Sequence, residues 1–140
     1  MIEIRMLLPT EAELLSDLDD DVFDDVIEVA WRDEFFADPR HHLAAAFDGM
    51  RIIGMASGVH YLHPDKPPEM FINEAGVAEA YRNQGIGRKL LTTLLAHAAT
   101  LGCESAWVLT HTDNAAARRM YAATGGVEAP DRPVLIEFRP

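Results

Sequence analysis

The hexapeptide Arg82-Asn83-Gln84-Gly85-Ile86-Gly87 lies between a strand-like apolar run, Phe71 to Val77, and an amphipathic helix pattern from Ile86 to Leu101. Two glycines at a strand-to-helix turn leave backbone N–H groups uncovered by side chains. Together with the positive end of the helix dipole they form a site for a phosphate group. A dinucleotide fingerprint would need a third glycine, and a Walker loop needs four residues between its glycines with Ser or Thr after Lys; neither is present. Arg82, Arg88 and Lys89 add positive charge for an anionic ligand.

Two further groups could do chemistry. Asn114, Ala117 and Tyr121 are spaced i, i+3 and i+7, so they share one face of a helix. A helical tyrosine is more commonly a core aromatic with a satisfied hydroxyl, and that alternative stands beside a chemical role. Glu74 lies on the strand before the loop, where alternation places it on the face of Ile72 and opposite Asn73. On strand statistics it is equally a solvent-facing carboxylate or a functional acid. Among the six histidines, His111 at the end of the fifth strand could share proton removal, though a plain strand-end histidine is the commoner case; none has metal-ligand spacing, so no metal is expected.

The elements that must position these groups follow from periodicity. Ile2 to Met6 alternates as a strand. Thr10 is placed to cap a helix through Asp19, with Glu13 closing a capping box, and a second helix is expected from Val22 to Phe36. Asp48-Gly49 joins strands His42 to Phe47 and Ile52 to Tyr61 as a hairpin, and Glu69 to Val77 resumes as strand. After the long helix, Glu104 to Thr110 reads as a strand. Asp113 is placed to cap a helix from Asn114 to Thr124, and Val134 to Phe138 reads as a closing strand. Trp31, Phe35 and Phe36 read as core, and Trp107 as sheet packing. No repeat or linker interrupts the chain, so residues 1–140 are expected to form one α+β domain.

The formal net charge of -11 excludes general affinity for nucleic acid. Much of it lies between Glu11 and Glu28, a stretch without a basic residue that reads mainly as a solvated helix face; the sharper alternative is an entrance for a cationic substrate. No run has the length of a membrane span or the form of a signal peptide, and a single cysteine, Cys103, fits a reducing cytoplasm.

The run Val77-Ala78-Glu79-Ala80-Tyr81-Arg82-Asn83-Gln84-Gly85-Ile86-Gly87-Arg88 resembles the pyrophosphate loop of the GNAT N-acetyltransferase superfamily, with Glu79 where proline is common. The Asn114, Ala117, Tyr121 spacing is similar to that family's second motif. The stretch His63-Pro64-Asp65-Lys66-Pro67-Pro68 leading into Phe71 to Glu74 looks most like the small aminoglycoside 3-N-acetyltransferase-like branch. The resemblance is strong from Arg51 to Gly126. It implies a mixed, mostly antiparallel sheet flanked by about four helices, and acetyl-CoA as co-substrate held by residues 77, 78 and 82–88. It further implies that Asn114 bonds the pantetheine arm, Ala117 leaves room for it, and Tyr121 stands by the sulfur. By the same resemblance Glu74 is the base and the Val77 N–H meets the thioester carbonyl. The implied acceptor is a primary amine on a small cation, aminoglycoside-like or polyamine-like. The alternatives are a protein N-terminus or a non-catalytic acyl-CoA sensor. The short tail suits strand exchange or edge pairing in a homodimer.

Overall fold

A computed structural model describes residues 1–140. Five strands make one sheet in the order β1-β2-β3-β4-β5: β1 (Ile2–Met6), β2 (His41–Asp48), β3 (Arg51–Tyr61), β4 (Glu69–Val77) and β5 (Ser105–Val108). The first four are antiparallel and β5 joins β4 in parallel. Three α-helices, α1 (Val29–Ala37), α2 (Ile86–Thr100) and α3 (Ala115–Ala123), and a 3₁₀ segment, Pro9–Ser16, flank it. This is the α+β class and mixed sheet that the sequence predicts. Along α2, Ile86, Leu90, Leu94 and Ala98 recur at helical spacing, and that stripe packs on the sheet, Leu90 over Gly54, in one core with Met70 and Ile72.

The acidic N-terminal region departs from expectation. The first helix is a 3₁₀ segment, and its N-terminus is closed by Glu11 rather than Glu13: Glu11 Oε1 accepts from the Leu8 N–H at 2.8 Å while both carboxylate oxygens bind Arg5. The expected helix from Val22 begins only at Val29. Aspartate is a poor helix former, and Asp20/Asp24 and Asp21/Asp25 would be like-charge i,i+4 pairs. The backbone finds other partners. The Asp19 N–H donates to the Ile52 carbonyl and the Ile52 N–H to the Asp17 carbonyl, both at 3.0 Å, and Val22 buries. Residues 17–28 thus form an irregular strap rather than a solvated helix face.

Other boundaries shift. Asn114, not Asp113, caps α3, its Oδ1 accepting from the Ala117 N–H at 3.1 Å. β5 stops at Val108. Val134 to Phe138 forms no strand, and its apolar side chains are 66% to 86% exposed. A strand has no hydrogen bonds of its own, and nothing in the chain brings this segment to a sheet edge. Trp31 is 72% exposed rather than core, whereas Phe36 is buried. Trp107 packs on Phe71 of the neighbouring strand, ring centroids 4.5 Å apart.

At the far end of the sheet from the loop, three histidines distant in sequence form a chain. His97 Nε2 lies 3.1 Å from His42 Nδ1, and His42 Nε2 lies 2.7 Å from His60 Nδ1. Burial, then the nearby His97 and His60, depress the His42 pKa to about 4. An unfolded histidine titrates near 6.5, so the unfolded chain takes up this proton first. The stability that neutral His42 confers is therefore complete above pH 6.5 and lost as pH falls from 6.5 to about 4. The loss is roughly 3 kcal/mol. Urea midpoints for the wild type should fall across that window, and His42→Gln should flatten the slope; parallel curves would refute the assignment.

Candidate active site

The strap, the end of β4, the start of α2 and the face of α3 meet around the hexapeptide loop. Gly85 has φ +77° and Asn83 φ +61°, both left-handed, a conformation that glycine adopts without steric cost and asparagine tolerates. As the N-cap, Gly85 offers no side chain to the helix, and the first intrahelical bond is Lys89 N–H to the Gly85 carbonyl at 3.1 Å. The N–H groups of Ile86, Gly87 and Arg88 are left to an external acceptor. Arg88 and Lys89 are exposed beside them and form no ion pair, while the Ile86 side chain is buried in the core. Asn83 and Gln84 are exposed on the loop. Arg82 is directed elsewhere: its Nε donates to the Val77 carbonyl at 2.9 Å and its Nη2 lies 3.7 Å from Asp21. It braces the loop against strand and strap.

The open edge of β4 follows from its pairing. β5 covers only Glu69 to Ile72, so from Asn73 onward that edge has no neighbour. On the other edge, the Ala78 N–H donates to the Ile53 carbonyl at 2.9 Å. Strand alternation then turns the Val77 and Ala75 N–H groups away from β3, toward the open edge. Val77 N–H is a free donor and Ala78 N–H is not.

A bulge aims Glu74. Ser57 pairs with Glu74 but its neighbour Gly58 pairs with Ile72, leaving Asn73 as an extra residue in β4. Because Ser57 and Gly58 point to opposite faces, Glu74 and Ile72 do too, contrary to simple alternation. Ile72 buries on the α2 side, and Glu74 turns to the face crossed by the strap. Gly76 lies on that face too, where a Cβ would collide with the Val22 carbonyl oxygen, so the strap runs directly over the strand. Glu74 is partly buried and has no hydrogen-bond partner. Burial raises its pKa first, and the adjacent Asp24 and Asp25 raise it further. Asp20, Asp24 and Asp25 also line an open cleft that the strap forms with the 3₁₀ segment and α1, where Phe23, Val29 and Arg32 join them. No sequence signal announced the bulge or this approach of acids to Glu74.

α3 completes the site. It packs on the start of α2, where a Cβ on Gly87 would fall 2.7 Å from Met120 Sδ and 3.7 Å from Val77 Cγ2. The missing side chain lets Met120 of α3 pack directly on the first turn of α2. Ala117 is partly buried on α3, and the Asn114 amide nitrogen stays free after its oxygen caps the helix. Tyr121 is half-buried with its hydroxyl unpaired, and burial raises its pKa, so it is a proton donor at neutral pH. His111 is fully on the surface without a side-chain partner. No cluster of His, Cys, Asp or Glu could hold a metal ion.

Residues 6–125 match the model of the Acetyltransferase (GNAT) family. The chain belongs to the GNAT acetyltransferase family. This acetyltransferase is 31% identical over 126 residues to the N-alpha-acetyltransferase RimI of Mycobacterium tuberculosis (strain ATCC 25618 / H37Rv), an overlap of 89% of this chain and 77% of that protein. Its fold is similar to that of the aminoglycoside acetyltransferase meta-AAC0020 from an uncultured soil metagenomic sample, in complex with sisomicin, with a TM-score of 0.80 at 15% identity over 99% of this chain and 95% of that one. It is also similar to the aminoglycoside N-acetyltransferase AAC(6')-Iy in complex with CoA, at TM-score 0.80 and 19% identity over 100% and 95% of the two chains.

Proposed function

We propose that this acetyltransferase moves acetyl from acetyl-CoA to a primary amine of a small cationic acceptor, aminoglycoside-like or polyamine-like, by direct attack in a ternary complex. One observation carries the reading: Glu74, partly buried and without a partner, lies where the edge of β4 has opened, on the strand that leads into an uncapped helix N-terminus. The uncapped N–H groups with Arg88 and Lys89 bind the pyrophosphate, and the pantetheine arm runs past Ala117 and the Asn114 amide of α3. The Val77 N–H donates to the thioester oxygen as negative charge develops there. Glu74 takes a proton from the acceptor ammonium, directly or through water, and frees the nitrogen lone pair. The nitrogen attacks the carbonyl carbon, the C–S bond breaks, and Tyr121 gives its proton to the departing thiolate and is reprotonated, through water, by the second proton that the nitrogen loses as the amide forms. Asp20, Asp24 and Asp25 attract the cation. His111, exposed and unpartnered, is the alternative route for the proton.

The RimI relative favours a second acceptor class, a peptide N-terminus. Thiol release from acetyl-CoA, measured with aminoglycosides, polyamines and short peptides, separates the classes. Turnover with the first two supports the cationic acceptor, and turnover with peptides alone replaces it. Acetyl-CoA binding with no turnover identifies a sensor. The exposed Val134 to Phe138 segment and the free edge of β5 fit edge pairing in a homodimer, which light scattering would detect. No helix is long and apolar enough to cross a membrane. A single free cysteine fits our proposal of a reducing cytoplasm.

A further inference from the structure

The strap is fastened to the sheet along its first half only. On the β3 side, the Asp19 N–H donates to the Ile52 carbonyl, and Arg51 pairs with Asp17 and Asp19 at 3.1 and 2.6 Å. On the β4 side, Asp21 reaches a 3₁₀ turn, Glu79–Tyr81, that leads into the hexapeptide loop. Its Oδ2 accepts from the Glu79 N–H at 2.8 Å and lies 3.7 Å from Arg82 Nη2. Residues 23–27 then form no backbone hydrogen bond, and the next one, Arg32 N–H to the Glu28 carbonyl, belongs to α1. Asp21 is thus the last polar anchor before the free run that carries Asp24 and Asp25. Three residues of chain span at most about 10 Å, so the anchor limits where those acids can stand.

The contact depends on the residue at position 79. Ala78, which precedes the turn, has no side-chain acceptor, so the first N–H of the turn needs a partner from elsewhere. Proline, common at this point in loops of this kind, has no N–H to give. Glutamate supplies one, and its own side chain is exposed. The bond therefore joins the two halves of the site. One end lies on the segment whose acids reach Glu74, the other on the segment that runs into the phosphate-binding turn. The charged groups that act on Glu74 are Asp24 and Asp25, and its β3 neighbour Ser57 is neutral. Asp21 acts on Glu74 only through the strap.

We propose that Asp21 is a positioning residue: by gripping the Glu79 N–H it clamps the strap to the cofactor loop and holds Asp24 and Asp25 where they serve Glu74 and the cationic acceptor. The proposal rests on the acetyl-transfer reading above and deepens it.

Glu79→Pro removes the donor alone. Glu79 is the first residue of the turn, where proline is favoured, and Ala78 before it is already extended at φ −54° and ψ 139°. Glu79→Ala keeps the N–H and is the control. In the unliganded protein, the Asp19 and Val22 amides should exchange with solvent at least about ten-fold faster in Glu79→Pro and Asp21→Ala than in the wild type or Glu79→Ala. With spermidine as acceptor, kcat/KM should fall about five-fold in the same two variants, the size of one hydrogen bond. Its rising pH limb should move to lower pH, because negative charge withdraws from Glu74. The calorimetric Kd for acetyl-CoA should stay within about two-fold. Combining Asp21→Ala with Glu79→Pro should add nothing, since both remove one bond. Equal exchange rates and limbs in Glu79→Pro and Glu79→Ala would overturn the clamp while leaving acetyl transfer standing. A loss confined to acetyl-CoA affinity would overturn it too, by assigning Asp21 to the cofactor loop. Absence of turnover with spermidine would overturn the acceptor reading, and the exchange rates would then decide by themselves whether Asp21 fastens the strap.

Discussion

Gly87→Glu should abolish measurable acetyl-CoA binding in calorimetry. Two effects act in the same direction. The new Cβ falls 2.7 Å from Met120 Sδ and 3.7 Å from Val77 Cγ2, so the side chain must displace Met120 and disturb the packing of α3 on the first turn of α2. Its carboxylate then lies within the first turn of α2, among the free N–H groups that would receive the pyrophosphate. Two like charges about 4 Å apart repel by about 4 kcal/mol in a partly solvated site, which is close to a thousand-fold in affinity. Gly87→Ala separates the effects: it carries the same Cβ without the charge, and a methionine side chain can yield to it. Alanine should weaken binding by about ten-fold or less. The glutamate should not unfold the unliganded protein through the helix, because an acid in the first turn suits the helix dipole. Unchanged affinity in Gly87→Glu would remove the loop from the cofactor site.

Glu74→Gln should lower kcat by about a hundred-fold or more with little change in acetyl-CoA affinity, the range for loss of a positioned general base. The amide keeps the shape and removes the basicity. Its pH profile adds a second readout. The Glu74 pKa is raised by burial and by Asp24 and Asp25, and the base works when deprotonated. Wild-type kcat/KM should therefore rise with pH through an apparent pKa above the ordinary carboxylate range. Asp25→Asn removes one repelling charge and should shift that limb to lower pH, and Glu74→Gln should eliminate it. Tyr121→Phe should lower kcat by about a hundred-fold through loss of thiolate stabilisation, with Kd for acetyl-CoA intact. An unchanged limb in Glu74→Gln would transfer the proton to another group, with His111 the first to examine.

Much of the fold was legible because local signals agreed with each other. Asp48-Gly49 between alternating runs gave the β2–β3 hairpin, and the Ile86, Leu90, Leu94 stripe gave α2 within a residue at each end. The Arg82 to Gly87 turn was legible for the same reason, since a helix N-terminus and a left-handed glycine are properties of the chain itself. The strap misled because a run of acids and apolar residues matches helical periodicity, yet aspartate repulsion and backbone bonds to Ile52 decide otherwise. Val134 to Phe138 has the pattern of a strand and, within one chain, no partner.

By itself, then, the sequence determined the α+β order of elements, the uncapped helix start at Gly85, and the candidate chemistry of Glu74, Asn114 and Tyr121. Those depend on residue type and on short spacings. Tertiary structure alone decided which way Glu74 points, because the bulge at Asn73 exists only where β4 must pair with β3. It also decided that the charges of Asp24 and Asp25 reach Glu74 and that Arg82 braces rather than faces the loop. Each is a contact between segments distant along the chain, set by strand register and packing, which periodicity within one segment does not encode.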